Sequence, residues 1–243
     1  MSVQRPDPVS DAAAVREATH QLVEAVSALD PPAVAEPSLL PGWSRGHVLT
    51  HLARNADALV NLLTWARTGE ETPMYVSEEA REKDIENGAS RPLPDQLDDL
   101  RQSAERFTQA VDAMPPQAWA AQVRTRHGGV VPAADLPAKR LAEIHLHHVD
   151  LGIGRTCADL PADFAARELA VLIDRLSGRE GIAAVRLHDT ETDETWDIGA
   201  AEHPELTVSG TTHALLAWVS GRSGGEELSR EPDLPLPTLP PLG

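Results

Sequence analysis

The 243-residue chain has only one cysteine, Cys157. No disulfide can form within it, and any metal site must be built mainly from His, Asp and Glu. A reducing cytoplasm fits that usage. Basic residues are also in short supply: 21 Lys and Arg against 38 Asp and Glu give a net charge of −17. This argues against nucleic acid or an acidic membrane as a general partner, because either needs a basic footprint. A small anionic substrate stays open, since a few local arginines override a diffuse field. No run of about 18 apolar residues occurs, so nothing is expected to span a membrane. The first residues, MSVQRPDPVSD, lack a basic stretch followed by an apolar one, so no signal peptide is expected. Hydrophobic content is ordinary at 41%, enough for a real core. The expectation is a soluble cytoplasmic protein with no nucleic-acid or membrane partner.

The first two-thirds read as helices. Ser10 or Asp11 can cap a helix whose apolar positions Val15, Ala18, Leu22, Val26 and Leu29 follow a helical period. Prolines make PPAVAEPSLLPGW (31–43) a connection. Ser44 caps a second helix to about Thr68. A long loop over 69–93 follows, of a length often associated with function or disorder. A third helix spans about Pro94 to Met114, and a fourth about Pro137 to Gly152, with the turn-rich TRHGGVVPAADLP between them. Four helices with one long crossover predict a four-helix bundle. After Gly154 the texture changes. PADFAARELAVLIDRLSGR (161–179) is amphipathic helix. AAVRLHDT, ETWDIG and ELTVSG alternate as strands do, and TTHALLAWVSGR (211–222) returns to helix. The acidic, Pro-rich tail after Gly224 is expected to run extended. The predicted class is α plus α/β: a helical bundle over 1–155, then a smaller α/β domain over 156–243.

The stretch AEIHLHHVDLG (142–152) concentrates three histidines and two carboxylates. At about 100° per residue, with Glu143 at 0°, His147 falls near 40° and Asp150 near −20°. His145 and His148 point well away and read as satisfied or exposed histidines. Glu143 and His147 thus form an i,i+4 pair that can reach one ion. The second helix carries another such pair, His47 and His51. In a bundle, ligands that project inward from facing helices build metal sites. A His/His/Glu set has the donor balance of a catalytic zinc site, and also that of a two-His, one-carboxylate iron site. Asp150 shares the metal face, either orienting a ligand imidazole or lying on the surface. Tyr75 and Met74, in the long loop, are candidates to line the pocket. Trp43 precedes the Ser44 cap and reads as a staple of the helix start, and Cys157 as a small buried residue.

These residues resemble a known family. GWSRGHVLTHLARNADAL (42–59) with EIHLHHVDLG (143–152) is similar to the metal-binding bundle of the DinB superfamily. Within it, TGEETPMYVS (68–77), LHHVDLG and AWVSGR (217–222) resemble the mycothiol-dependent maleylpyruvate isomerases. The resemblance implies zinc on His51, Glu143 and His147, and passes over His47. It assigns an essential catalytic role to Arg222, whose planar fork suits a carboxylate or enolate. It also implies mycothiol as a thiol cofactor; Asp150, on the metal face and able to bond a mycothiol amine or hydroxyl, and Tyr75, in the long loop, are then cofactor-binding candidates, and a monomer is expected.

The implied reaction is the cis–trans isomerisation of maleylpyruvate, a small dicarboxylate, to fumarylpyruvate in gentisate degradation. A thiolate adds reversibly to the C=C bond, rotation follows, and the thiolate leaves. A zinc ion keeps a coordinated thiol deprotonated near neutral pH. Two other readings use the same residues. One is a mycothiol S-transferase acting on an electrophile. The other is a non-catalytic zinc module, which a closed site using His47 or Asp150 as a fourth ligand would favour.

Overall fold

The computed structural model describes residues 7–200 and 204–240. The chain divides into two compact units, one running to Gly154 and the other starting at Arg155.

In the first unit, helix α1 spans Pro8–Ser27. It starts earlier than Ser10: the Asp7 carboxylate accepts from the Val9 and Ser10 amides, 3.1 and 3.3 Å away. Pro8 fits the first turn because its missing N–H would have no helical partner there. Helix α2, Arg45–Thr68, starts at Ser44 and ends at Gly69, whose φ of +79° closes the helix in the left-handed region. The stretch expected to be a long loop instead contains helix α3, Glu78–Ala89, capped by Ser77. Helix α4 spans Leu93–Asp112 and α5 spans Leu136–Asp150. Between them lies a small antiparallel hairpin, β1 (Gln122–Arg124) and β2 (Val130–Pro132).

Helices α1, α2, α4 and α5 form the bundle: α2 packs on α4 and α5, and α1 packs on α4 and α5. Leu22 and Val26 of α1, Leu49, Leu52, Leu62 and Leu63 of α2, Leu100 and Phe107 of α4, and Ile144 of α5 are all buried. Burying a Leu- or Phe-sized side chain contributes about 1.5–3 kcal/mol, so this seam holds the site-bearing helices in register. Helix α3 leans on α2 at very close range. A Cβ at Gly46 would run into the Ala89 carbonyl, and one at Gly88 into the Thr50 side chain. Gln96 stitches the contact, donating to the Gly88 carbonyl at 2.9 Å and accepting from the Thr50 hydroxyl at 3.1 Å.

The second unit has helices α6 (Ala162–Leu176) and α7 (Thr212–Val219), which pack on each other and on a four-stranded sheet. The strands are β3 (Val185–Asp189), β4 (Thr195–Ile198), β5 (Leu206–Gly210) and β6 (Ser229–Glu231), in the order β4-β3-β5-β6. Strand β3 pairs antiparallel with β4 and parallel with β5, with Leu187 opposite Trp196 on one side and Val208 on the other. The Pro-rich tail is not wholly free of structure, since Ser229–Glu231 adds the edge strand β6 beside β5.

Candidate metal centre

Three side chains from two helices meet in the first unit. His51 comes from α2, and Glu143 and His147 come from successive turns of α5. One oxygen of Glu143, Oε2, lies 3.0 Å from His51 Nε2 and 3.3 Å from His147 Nε2. One ligand atom from each residue falls within 4.8 Å of the others. The two imidazole rings meet edge to face, 4.6 Å between centroids. Asp150, one turn beyond His147, is 1% exposed. Its Oδ2 sits 2.8 Å from His147 Nδ1. The Asp150 carboxylate accepts from Nδ1–H and so leaves Nε2, which faces Glu143, as the nitrogen that could bind a metal.

The electrostatics agree with that geometry. Burial is the largest influence on His51 and pulls its pKa down to about 4, so the ring is neutral at physiological pH and able to ligate. Burial alone would raise the Glu143 carboxyl, but hydrogen bonds from His147 and His51 outweigh it and hold the group well below the usual range. Burial likewise works to lower His147, yet the hydrogen bonds to Asp150 and Glu143 carry it above the ordinary imidazole value. Two nitrogens and one carboxylate oxygen, gathered around a single point, fit a divalent cation with a position left for another ligand.

The other histidines of the motifs do different work. His47 turns out of the cluster: its Nδ1 accepts from the Ser44 amide at 3.1 Å, completing the helix cap, and its Nε2 lies 3.1 Å from Glu86. It is not in the group that converges on one point. His145 and His148 are buried on other faces of α5. Trp43 covers the entrance of α2, with its ring stacked on His47 and 5.6 Å from that of His51.

Tyr75 is half-buried in the segment leading into α3. The Asn61 side chain tethers that segment to α2 through the Pro73 and Met74 carbonyls. Burial pushes the Tyr75 phenol up, against the pull of Arg81. The Arg222 amide bonds the Ala217 carbonyl at 2.7 Å, just past the end of α7, and its Nη1 donates to the Ser220 carbonyl at 2.9 Å.

Two residues near the cluster were not singled out from the sequence. Arg140, on α5, is 2% exposed. Its Nη1 donates to the Leu52 carbonyl and to Asn55 Oδ1, both at 2.8 Å. Arg81, on α3, is also buried, and its Nη2 lies 3.3 Å from His51 Nδ1. Both place positive charge beside the cluster in a chain that is strongly acidic overall.

The model of the mycothiol maleylpyruvate isomerase N-terminal domain matches residues 15–152, more than half of the chain. The chain belongs to this family. A solved mycothiol-dependent maleylpyruvate isomerase is 31% identical, with 96% of each chain covered and a TM-score of 0.88. The structure of a mutant of that isomerase, with alanine in place of one histidine, is 30% identical over 96% of each chain, with a TM-score of 0.89. A third structure, YfiT from Bacillus subtilis, is described as a probable metal-dependent hydrolase with an unusual four-helix bundle topology. At 16% identity and a TM-score of 0.52, covering 62% of this chain and 87% of that one, it shows likeness of fold alone. No curated protein matches the chain significantly. No described helix of this family member is long and apolar enough to cross a membrane.

Proposed function

We propose that this protein catalyses the mycothiol-dependent cis–trans isomerisation of maleylpyruvate to fumarylpyruvate. The observation that carries this reading is the convergence of His51, Glu143 and His147 in a chain of the mycothiol maleylpyruvate isomerase family. Isomerisation requires the C=C bond to become single for a time. Reversible addition of a thiolate does this, because sulfur both attacks and leaves readily. Bound by these three residues, a zinc ion would lower the pKa of a thiol enough to supply thiolate at neutral pH.

The chain's own residues supply the rest. His51 and Asp150-oriented His147 would each ligate through Nε2, and ionised Glu143 would offset the cation's charge. Trp43 and the buried seam of α2 and α5 limit water, which strengthens charge interactions inside. Arg222 is the proposed residue essential for turnover. Its replacement by Ala is expected to leave the metal content unchanged and to remove most turnover; retained turnover would overturn that assignment.

The test of the reading itself is conversion of maleylpyruvate, followed by NMR, with and without mycothiol. Fumarylpyruvate is expected only with the thiol. Conversion at full rate without any thiol would overturn it.

A further inference from the structure

Arg81 is more than nine-tenths buried. Among the described residues no carboxylate lies within ion-pair distance of its guanidinium. Its Nε is buried and has no hydrogen-bond partner. Its Cζ sits 5.7 Å from the Tyr75 ring centroid, and its Nη2 is 3.3 Å from His51 Nδ1. A guanidinium can only donate. His51 Nδ1 therefore accepts, and the ring's one proton is on Nε2, where it donates to Glu143 at 3.0 Å.

That arrangement cannot survive a metal on His51 Nε2. Ligation takes the Nε2 lone pair, so the proton of the neutral ring moves to Nδ1. Nδ1–H then faces Nη2–H, donor against donor. The ring stays neutral in both states; only the proton changes place. With a metal bound, Arg81 would lose its hydrogen bond to His51. That would leave the buried cation with only the neutral Tyr75 beside it, and an anion would be the better partner.

We propose that Arg81 is a substrate-binding residue, released from His51 as the metal enters and then gripping one carboxylate of the dicarboxylate substrate. This rests on the isomerase reading for the identity of the ligand. The planar fork of Arg81 takes a carboxylate bidentately, and half-buried Tyr75 flanks it on the side of the preceding loop. Helix α3, which the close approaches at Gly46 and Gly88 pin against α2, fixes where the fork can reach.

The test uses the metal-loaded protein, with maleate as an unreactive dicarboxylate probe, in wild type, Arg81→Met and Arg81→Lys. Metal affinity is measured by chelator competition, maleate affinity by calorimetry, and KM for maleylpyruvate by assay. Arg81→Met is expected to bind metal at least as tightly as wild type, because the competing hydrogen bond is gone. It should weaken maleate binding and raise KM by more than tenfold, and Arg81→Lys should recover part of both. Unchanged maleate affinity in Arg81→Met, in a protein whose wild type isomerises maleylpyruvate, overturns this inference alone. A tenfold loss of metal affinity in Arg81→Met with KM unchanged also overturns it, since Arg81 would then only support His51. A wild type that loads metal but neither binds maleate nor converts maleylpyruvate overturns both readings.

Discussion

The Asp150 carboxylate lies 2.8 Å from His147 Nδ1, one helical turn on and almost wholly buried. It decides which nitrogen of His147 is free. Asp150→Ala is expected to weaken metal affinity by about 10–100-fold, the usual cost of losing such a partner. Asp150→Asn, which still offers an acceptor oxygen, should fall between. Chelator competition measures both. Wild-type affinity in Asp150→Ala would remove Asp150 from the metal centre.

The same pair sets a pH dependence. In the metal-free protein His147 titrates above the ordinary 6.5 and Glu143 well below the ordinary 4.5. The raised histidine contributes stability that is complete below 6.5 and lost as pH rises through its folded value. The lowered glutamate contributes stability that is present above 4.5 and lost as pH falls through its folded value. His51, held neutral in the fold down to about pH 4, loses stability as pH falls below 6.5, so metal-free protein should be most stable near pH 6.5 and its melting temperature should fall as pH rises above that. Metal replaces the His147 proton, so loaded protein should lack that alkaline decline. Parallel profiles with and without metal would contradict this account.

Arg140 is expected to matter for stability. Arg140→Met leaves Asn55 Oδ1 buried without its donor and takes away the second donor of the Leu52 carbonyl, which keeps its helical bond. An unsatisfied buried acceptor of this kind costs about 1–3 kcal/mol. Denaturant unfolding should show a loss of about 1–3 kcal/mol; a neutral effect would mean that water replaces the guanidinium there.

Gly46→Ala tests the helix contact that positions Arg81. In an exposed helix this change stabilises by about 0.5–1 kcal/mol. Here the added Cβ meets the Ala89 backbone carbonyl, so the expected result is a net destabilisation of about 1–3 kcal/mol. Stabilisation would show that α3 yields freely.

The bundle and the Glu143–His147 pair were legible in the sequence because their signals are local; the choice of His51 over His47 came from the family resemblance. Ser44 announces α2, and a 100° step puts Glu143 and His147 on one face whatever surrounds them. His47 misleads, because its spacing to His51 suits ligation equally well. Only the structure shows its ring closing the Ser44 cap instead. Helix α3 escaped because EEAREKDIENGA is mostly charged, with Ile85 its only large aliphatic residue. Its stability comes from tertiary contact with α2 through Gly46 and Gly88, which periodicity does not register. Arg81 and Arg140 escaped for a related reason. Arginine in a charged helix or after lysine reads as a solvated face, and their burial depends on neighbours distant in sequence.

The central claim is that His51, Glu143 and His147 hold a metal that accepts a thiol. The most direct measurement loads the protein with cobalt(II), adds mycothiol, and records the near-ultraviolet spectrum. The account predicts one bound cobalt and a new thiolate-to-metal charge-transfer band, both absent in His51→Ala and His147→Ala. A wild type that binds cobalt but gains no such band with thiol, or a band of equal strength in the two variants, would contradict it.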